Sequence, residues 1–93
     1  MSSERGIRGA DIVTAVIHIG FGGAVTTDKI VAIVLPDSKP SVRLREAARS
    51  ENRLIDATQG HKTRALIITT SNHVILCGIN PETLVQRIKE SNA

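Results

Sequence analysis

Apolar and polar positions first fall into a regular pattern at Val13, Ala15, Ile17, Ile19 and Phe21, which alternate with other residues. Alternation is the two-residue period of a strand, whose side chains point to opposite faces in turn. A strand is therefore predicted over 12–21, with Ile12 and Val16 keeping its second face partly apolar, and Gly20, Gly22 and Gly23 ending it in a bend or bulge. The run Ile30 to Leu35 is apolar at every position and rich in β-branched residues, as expected of a strand covered from two sides, and Pro36 stops it. After the turn residues Asp37, Ser38 and Pro40, the stretch Ser41 to Arg53 lacks Gly and Pro and reads as a helix over 41–53. Ala65 to Thr69 and His73 to Ile79 read as two strands joined across Thr70, Ser71 and Asn72 in a hairpin. Asn80 can cap a final helix over 81–90, with Pro81 at its first position. Glu82 near its start and Arg87 and Lys89 near its end match the helix dipole, and Leu84, Val85 and Ile88 form its apolar stripe.

These elements make an α+β domain with a mostly antiparallel sheet and two short α-helices. Residues 1–10 are polar, charged and glycine-containing, which predicts a flexible N-terminal extension, and 11–93 form the single domain. The strands raise an accounting problem, because three of them are apolar on both faces and two helices of about ten residues are too few to cover them. Surplus apolar strand surface, at roughly 25 cal/mol per Å² removed from water, favours contact between copies of the chain. A homo-oligomer is the expectation; a tight monomeric sandwich whose loops shield the second face is the alternative.

Composition limits the chemistry. Ninety-three residues make one domain, and Phe21 is the only aromatic residue, so the core is aliphatic. The longest apolar run, Ile30 to Leu35, is far too short for a membrane span, and the N-terminus lacks the basic-then-apolar pattern of a signal peptide. The expected location is cytoplasmic. Cys77, the single cysteine, has no internal disulfide partner and reads as a small buried hydrophobe. His18, His61 and His73 fall on separate elements, leaving no nucleophile and base pair, so an enzyme is not expected. No ligand spacing suggests a metal, and no lysine with a following serine or threonine succeeds the glycines at the spacing of a phosphate loop. No cofactor is expected.

Charge is more telling. The net charge is +3 and the isoelectric point about 9.6, and seven of the twelve Lys and Arg residues fall between Lys39 and Arg64, against Glu46, Glu51 and Asp56. Within that segment, Leu54 to Arg64 carries a short apolar entry into Gly60, which permits a tight turn, followed by His61, Lys62 and Arg64. Those three side chains are expected at a loop tip in front of the strand that begins at Ala65. Wound at roughly 100° per residue, the preceding helix places Leu44, Ala47 and Ala48 on one side and Arg45, Arg49 and Arg53 on the other. Lys29 is a further loop-borne charge at a strand end. Asp56 reads as a local hydrogen-bond acceptor around the turn.

Ile19-Gly20-Phe21-Gly22, Leu54-Ile55-Asp56-Ala57-Thr58 leading to Gly60, Thr63-Arg64-Ala65, His73-Val74-Ile75-Leu76 and Pro81-Glu82-Thr83 together resemble the RemA family, small bacterial regulators of extracellular-matrix genes. The resemblance covers about Ile17 to Lys89. It implies a cytoplasmic DNA-binding protein that assembles into a ring-like homo-oligomer and activates transcription of biofilm matrix genes. Basic residues of the glycine turn and of the first interstrand turn would face DNA, roles that fall on His61, Lys62 and Lys29. The family can carry an arginine pair where this chain has His61-Lys62, and an arginine in place of Lys29.

The charges alone point to phosphate, with a solvated face as the alternative for the helix arginines; with the resemblance, the expected partner is duplex DNA held through its phosphates by Lys29, His61, Lys62, Arg64, Arg49 and Arg53. Affinity should then fall steeply with salt as counterions are released, and repetition around an assembly should add avidity. With no aromatic platform for unpaired bases, duplex is favoured over single strands. Sequence choice would come from bendability and groove shape, or from Arg64 or Arg49 at a guanine edge. The competing reading is a small oligomeric binder of an anionic metabolite or nucleotide, in which Lys29, Lys62 and Arg64 close over one phosphate group.

Overall fold

The computed structural model describes residues 15–91; the expected extension 1–10 and the start of the first strand at Ile12 lie outside them. The first alternating stretch forms β1 (Val16–Gly20), which turns through Phe21 and Gly22 and pairs antiparallel with β2 (Gly23–Thr26). Ile17 and Ile19 are buried while Val16 and His18 are exposed, the alternation read from the sequence. A single 3-10 turn, Thr27–Lys29, leads to β3 (Ile30–Val34), followed by α1 (Lys39–Ser50), β4 (Leu54–Asp56), β5 (Ala65–Thr69), β6 (Val74–Cys77) and α2 (Pro81–Ser91). The last four strands form one sheet in the order β3-β5-β6-β4. Its pairs are antiparallel except β4 with β6, which run parallel.

The two middle strands of this sheet, β5 and β6, are covered on both faces within one chain. Leu66, Val74 and Leu76 pack with Ala48 and Leu44 of α1 on one side. Ala65, Ile67, Ile75 and Cys77 pack on the other with Ile17 and Ile19 of the β1–β2 hairpin and Leu84 of α2. The hairpin is what the area accounting omitted: the first strand does not add to the surface needing cover but supplies cover, as a separate two-stranded layer. The α+β class, the mostly antiparallel sheet and the two helices are as the apolar pattern predicts.

Several boundaries differ for local reasons. Helix α1 begins at Lys39, because Ser38 caps it by accepting from the Ser41 amide at 3.2 Å and Pro40 is tolerated in the first turn, where its missing N–H has no partner to lose. It ends at Ser50, since Asn52 turns to a φ of 60° and the Arg53 carbonyl accepts from the Val74 amide at 2.9 Å, joining the sheet. Arg53 therefore leaves the helix, and the expected arc of Arg45, Arg49 and Arg53 on one helical face does not form. Ala47 is exposed rather than inward, as is Val85 on α2, whereas Ala48 and Leu84 are fully buried. No helix among the described residues is long and apolar enough to cross a membrane.

Candidate nucleic-acid interface

The chain from β4 to β5 crosses the end of β6, because these two strands flank it in the sheet. The crossing is the basic turn. The carboxylate Oδ1 of Asp56 opens it by accepting from the Thr58 amide at 2.9 Å and the Thr58 hydroxyl at 2.6 Å. The His61 amide closes it on the Thr58 carbonyl at 3.0 Å. Between them Gln59 and Gly60 take φ values of 50° and 84°, the left-handed region in which glycine is unstrained. The Arg64 amide then donates to the Cys77 carbonyl at 2.8 Å, re-entering the sheet. His61, Lys62 and Arg64 are exposed along this excursion, as a loop tip requires.

Two hydrogen bonds from Thr58 hold the Asp56 carboxyl below its ordinary value, the hydroxyl contributing more than the amide and the positive charge of Arg49 adding to both. Asp56 is thus the local acceptor that its place before the turn suggested. Cys77 lies buried, and that burial pushes its thiol up from the ordinary value; the Sγ donates to the Ile19 carbonyl at 3.2 Å.

A neighbour that sequence reasoning missed stands against the turn. Phe21, at the tip of the β1–β2 hairpin with a φ of 52°, stacks on the His61 imidazole with ring centroids 3.8 Å apart and planes 13° from parallel. Its ring lies over Gly78, where a Cβ would come within 2.6 Å of Cε2. Gly20-Phe21-Gly22, the sole aromatic between glycines, was the signal of a ring presented at a turn, but the sequence could not say what it meets.

Five of the six candidate residues divide between the two ends of the sheet, and the sixth, Arg49, stands on α1. His61, Lys62 and Arg64 share the end where β5 begins. Lys29 and Arg53 lie at the other, beside the β5–β6 turn: the Lys29 carbonyl accepts from the Thr70 amide at 2.8 Å, and Arg53 Nη1 donates to the Asn72 carbonyl. At roughly 3.3 Å per residue of strand, the backbones at Arg64 and Thr70 are about 20 Å apart. One copy of the chain does not bring Lys29 and Lys62 together. Arg49 stands on α1, exposed, with Glu46 3.9 Å away. Arg53 is already engaged, its Nε donating to Glu51 at 2.7 Å as well as its Nη1 to Asn72. Lys29, Lys62 and Arg64, by contrast, are exposed and have no carboxylate within ion-pair distance among the described residues.

Other features fall elsewhere. An open groove of about 400 Å³ between β1 and α2 is lined by Val16, His18, Arg87 and Glu90, at the end of β1 away from Phe21. His73 bonds through Nδ1 to the Ser71 hydroxyl at 2.7 Å within the β5–β6 turn. Among the described residues no three His, Cys, Asp or Glu side chains gather as a metal site would need.

Residues 16–88 match the family described as extracellular matrix regulatory protein A-like, or RemA-like. Among similar proteins, one from Pseudothermotoga lettingae is 55% identical over 81% of this chain and 82% of its own length. One from Thermosipho melanesiensis is 56% identical over 81% and 80%, and one from Nitratidesulfovibrio vulgaris 57% identical over 83% and 88%. All three are provisionally named regulatory proteins.

Proposed function

Because the chain belongs to the RemA-like family, and its relatives are named as regulatory proteins, we propose that it is a DNA-binding transcriptional regulator of the cytoplasm, acting on extracellular-matrix genes as a ring-like homo-oligomer. The observation that carries the reading is the exposed basic turn, with Lys62 and Arg64 projecting from a hydrogen-bonded loop without a carboxylate partner among the described residues. Side chains in that state bind phosphate without first breaking an internal ion pair. Lys29 and Arg49 add charge beyond the turn, and Arg53 serves chiefly to tie α1's exit to the β5–β6 turn.

Separation of the charges favours a polymer over a small ligand. A single phosphate group does not span about 20 Å of strand, so Lys29 and Arg64 of one copy do not close over one metabolite. A duplex, with phosphates all along its length, can meet both ends of the sheet or the same end of successive copies. Assembly finds support in the sheet edges: β3 and β4 are its outer strands, and Val31, Leu35 and Ile55 on or beside them are 62%, 65% and 45% exposed. Two different apolar edges on one subunit suit a head-to-tail contact, which gives a ring when the rotation between successive copies closes.

Mobility of labelled duplex against the Lys62→Ala, Arg64→Ala double variant tests the proposal. The wild-type chain should retard duplex at low salt, with log affinity falling against log salt by several units. The double variant should lose most of the retardation and reduce that slope by about two per engaged copy. Saturation by a free nucleotide, with a shallow salt slope and no duplex shift, defeats it.

A further inference from the structure

The stack on Phe21 gives His61 a task that charge does not describe. The turn's backbone is tied at the His61 amide and again at the Arg64 amide, and Lys62 lies between. Whatever fixes the His61 side chain therefore limits where Lys62 can point. The near-parallel rings, 3.8 Å apart, are within the range in which aromatic pairs attract beyond their buried area. The platform is itself built for the contact: Phe21 takes a left-handed φ of 52°, which a bulky residue adopts only when its surroundings compensate. Gly78 leaves the space its ring fills.

We infer that His61 is a positioning residue of the basic turn, held by Phe21, and that Lys62 and Arg64 carry the turn's charge to phosphate. The inference rests on the nucleic-acid reading of the same turn. What the stack needs is a flat ring, not a proton, so His61→Phe keeps it and His61→Ala destroys it. On the other side, Phe21→Tyr keeps the platform, Phe21→Leu removes it, and Gly78→Ala pushes the ring out of its seat.

Two measurements on the full chain separate the inference from the reading beneath it. Without DNA, NMR should find the His61 ring protons displaced to high field by the Phe21 ring current, a displacement kept in F21Y and lost in F21L. Amide exchange across 59–64 should accelerate about three- to tenfold in H61A, F21L and G78A, the range an aromatic pair commands, and stay at the wild-type rate in H61F and F21Y. With duplex DNA, the affinities should follow the same order, H61F binding as wild type does. Unchanged exchange in F21L and H61A overturns the inference, as does an H61F that loses as much affinity as H61A, which would mean that the imidazole itself meets phosphate. If the wild-type chain retards no duplex, the nucleic-acid reading falls, and the DNA-free shifts and exchange rates alone decide whether Phe21 positions His61.

Discussion

Glycines at two turns of the same corner differ in what confines them, and the difference is measurable. Gly60 has a φ of 84° with nothing within 4 Å of a built Cβ, whereas Gly20, at 91°, would set one 2.9 Å from the side chain of Ile79. A Gly60→Ala variant should therefore lose only the left-handed conformational term, about 1 kcal/mol, and Gly60→Asn less. Gly20→Ala carries that term and a clash, so urea unfolding should rank it clearly below G60A. Asp56 gives a pH signature. Its carboxyl is lowered by the Thr58 hydroxyl, then by the Thr58 amide and Arg49, so it favours the folded state when ionised. That contribution is complete above the unfolded carboxylate value of about 4 and is lost as pH falls through the lowered folded value. Asp56→Ala should thus cost about 0.5–1.5 kcal/mol at neutral pH, and unfolding of the two proteins should converge in acid; a difference that persists there would contradict it. Both roles were legible in the sequence because they are local. The contact of Phe21 with His61 was not, since it joins residues that only the folded chain brings together.

Among the elements, legibility followed length and periodicity. Ile30 to Val34 and Ala65 to Ile68 are continuous apolar runs, and α2 carries both its proline start and its charges at the matching ends. β4 was invisible as a strand because three residues, Leu54 to Asp56, are too few to show a period. β2 was hidden by composition: Gly-Ala-Val-Thr offers one sizeable apolar side chain, and it follows glycines that read as a break. Missing β2 concealed the β1–β2 hairpin, and with it the layer that covers the second face of the sheet. The face that α2 buries follows from the same layer. Leu84 is fully buried against the cluster that includes Ile17 and Ile19, while Val85 is 42% exposed. Leu84→Ala should cost about 2–5 kcal/mol, and Val85→Ala within about 0.5 kcal/mol of nothing, as read by thermal or urea unfolding. Equal losses would mean that α2 presents a different face to the hairpin, or that Val85 is covered by another copy of the chain.

At the scale of the whole molecule, the surfaces left for assembly are not the ones that the apolar pattern suggests. Surplus apolar area at the middle of the sheet is no longer available to support assembly, since α1, α2 and the hairpin cover β5 and β6 on both faces. What is left is the pair of sheet edges. An edge strand offers unpaired backbone groups as well as side chains, and here one edge shows Val31 and nearby Leu35, the other Ile55. If copies join head to tail, each interface uses the β3 edge of one and the β4 edge of the next, so damage to either edge breaks every interface. Val31→Gln with Leu35→Gln, or Ile55→Gln alone, leaves the net charge untouched. Sedimentation should then show a closed assembly for the wild-type chain and monomers for each variant. An equimolar mixture should form dimers and stop there, because one intact β4 edge and one intact β3 edge meet and the outer edges are both spoiled. The monomeric variants keep Lys29, Lys62 and Arg64 but lose their repetition, and duplex affinity should fall by about 10²- to 10⁴-fold, the scale of lost avidity. A two-fold symmetric dimer built on a single edge predicts a different result, in which only one variant dissociates and mixing restores nothing. A wild-type chain that sediments as a monomer and still binds duplex tightly would place the whole affinity on one copy's charges.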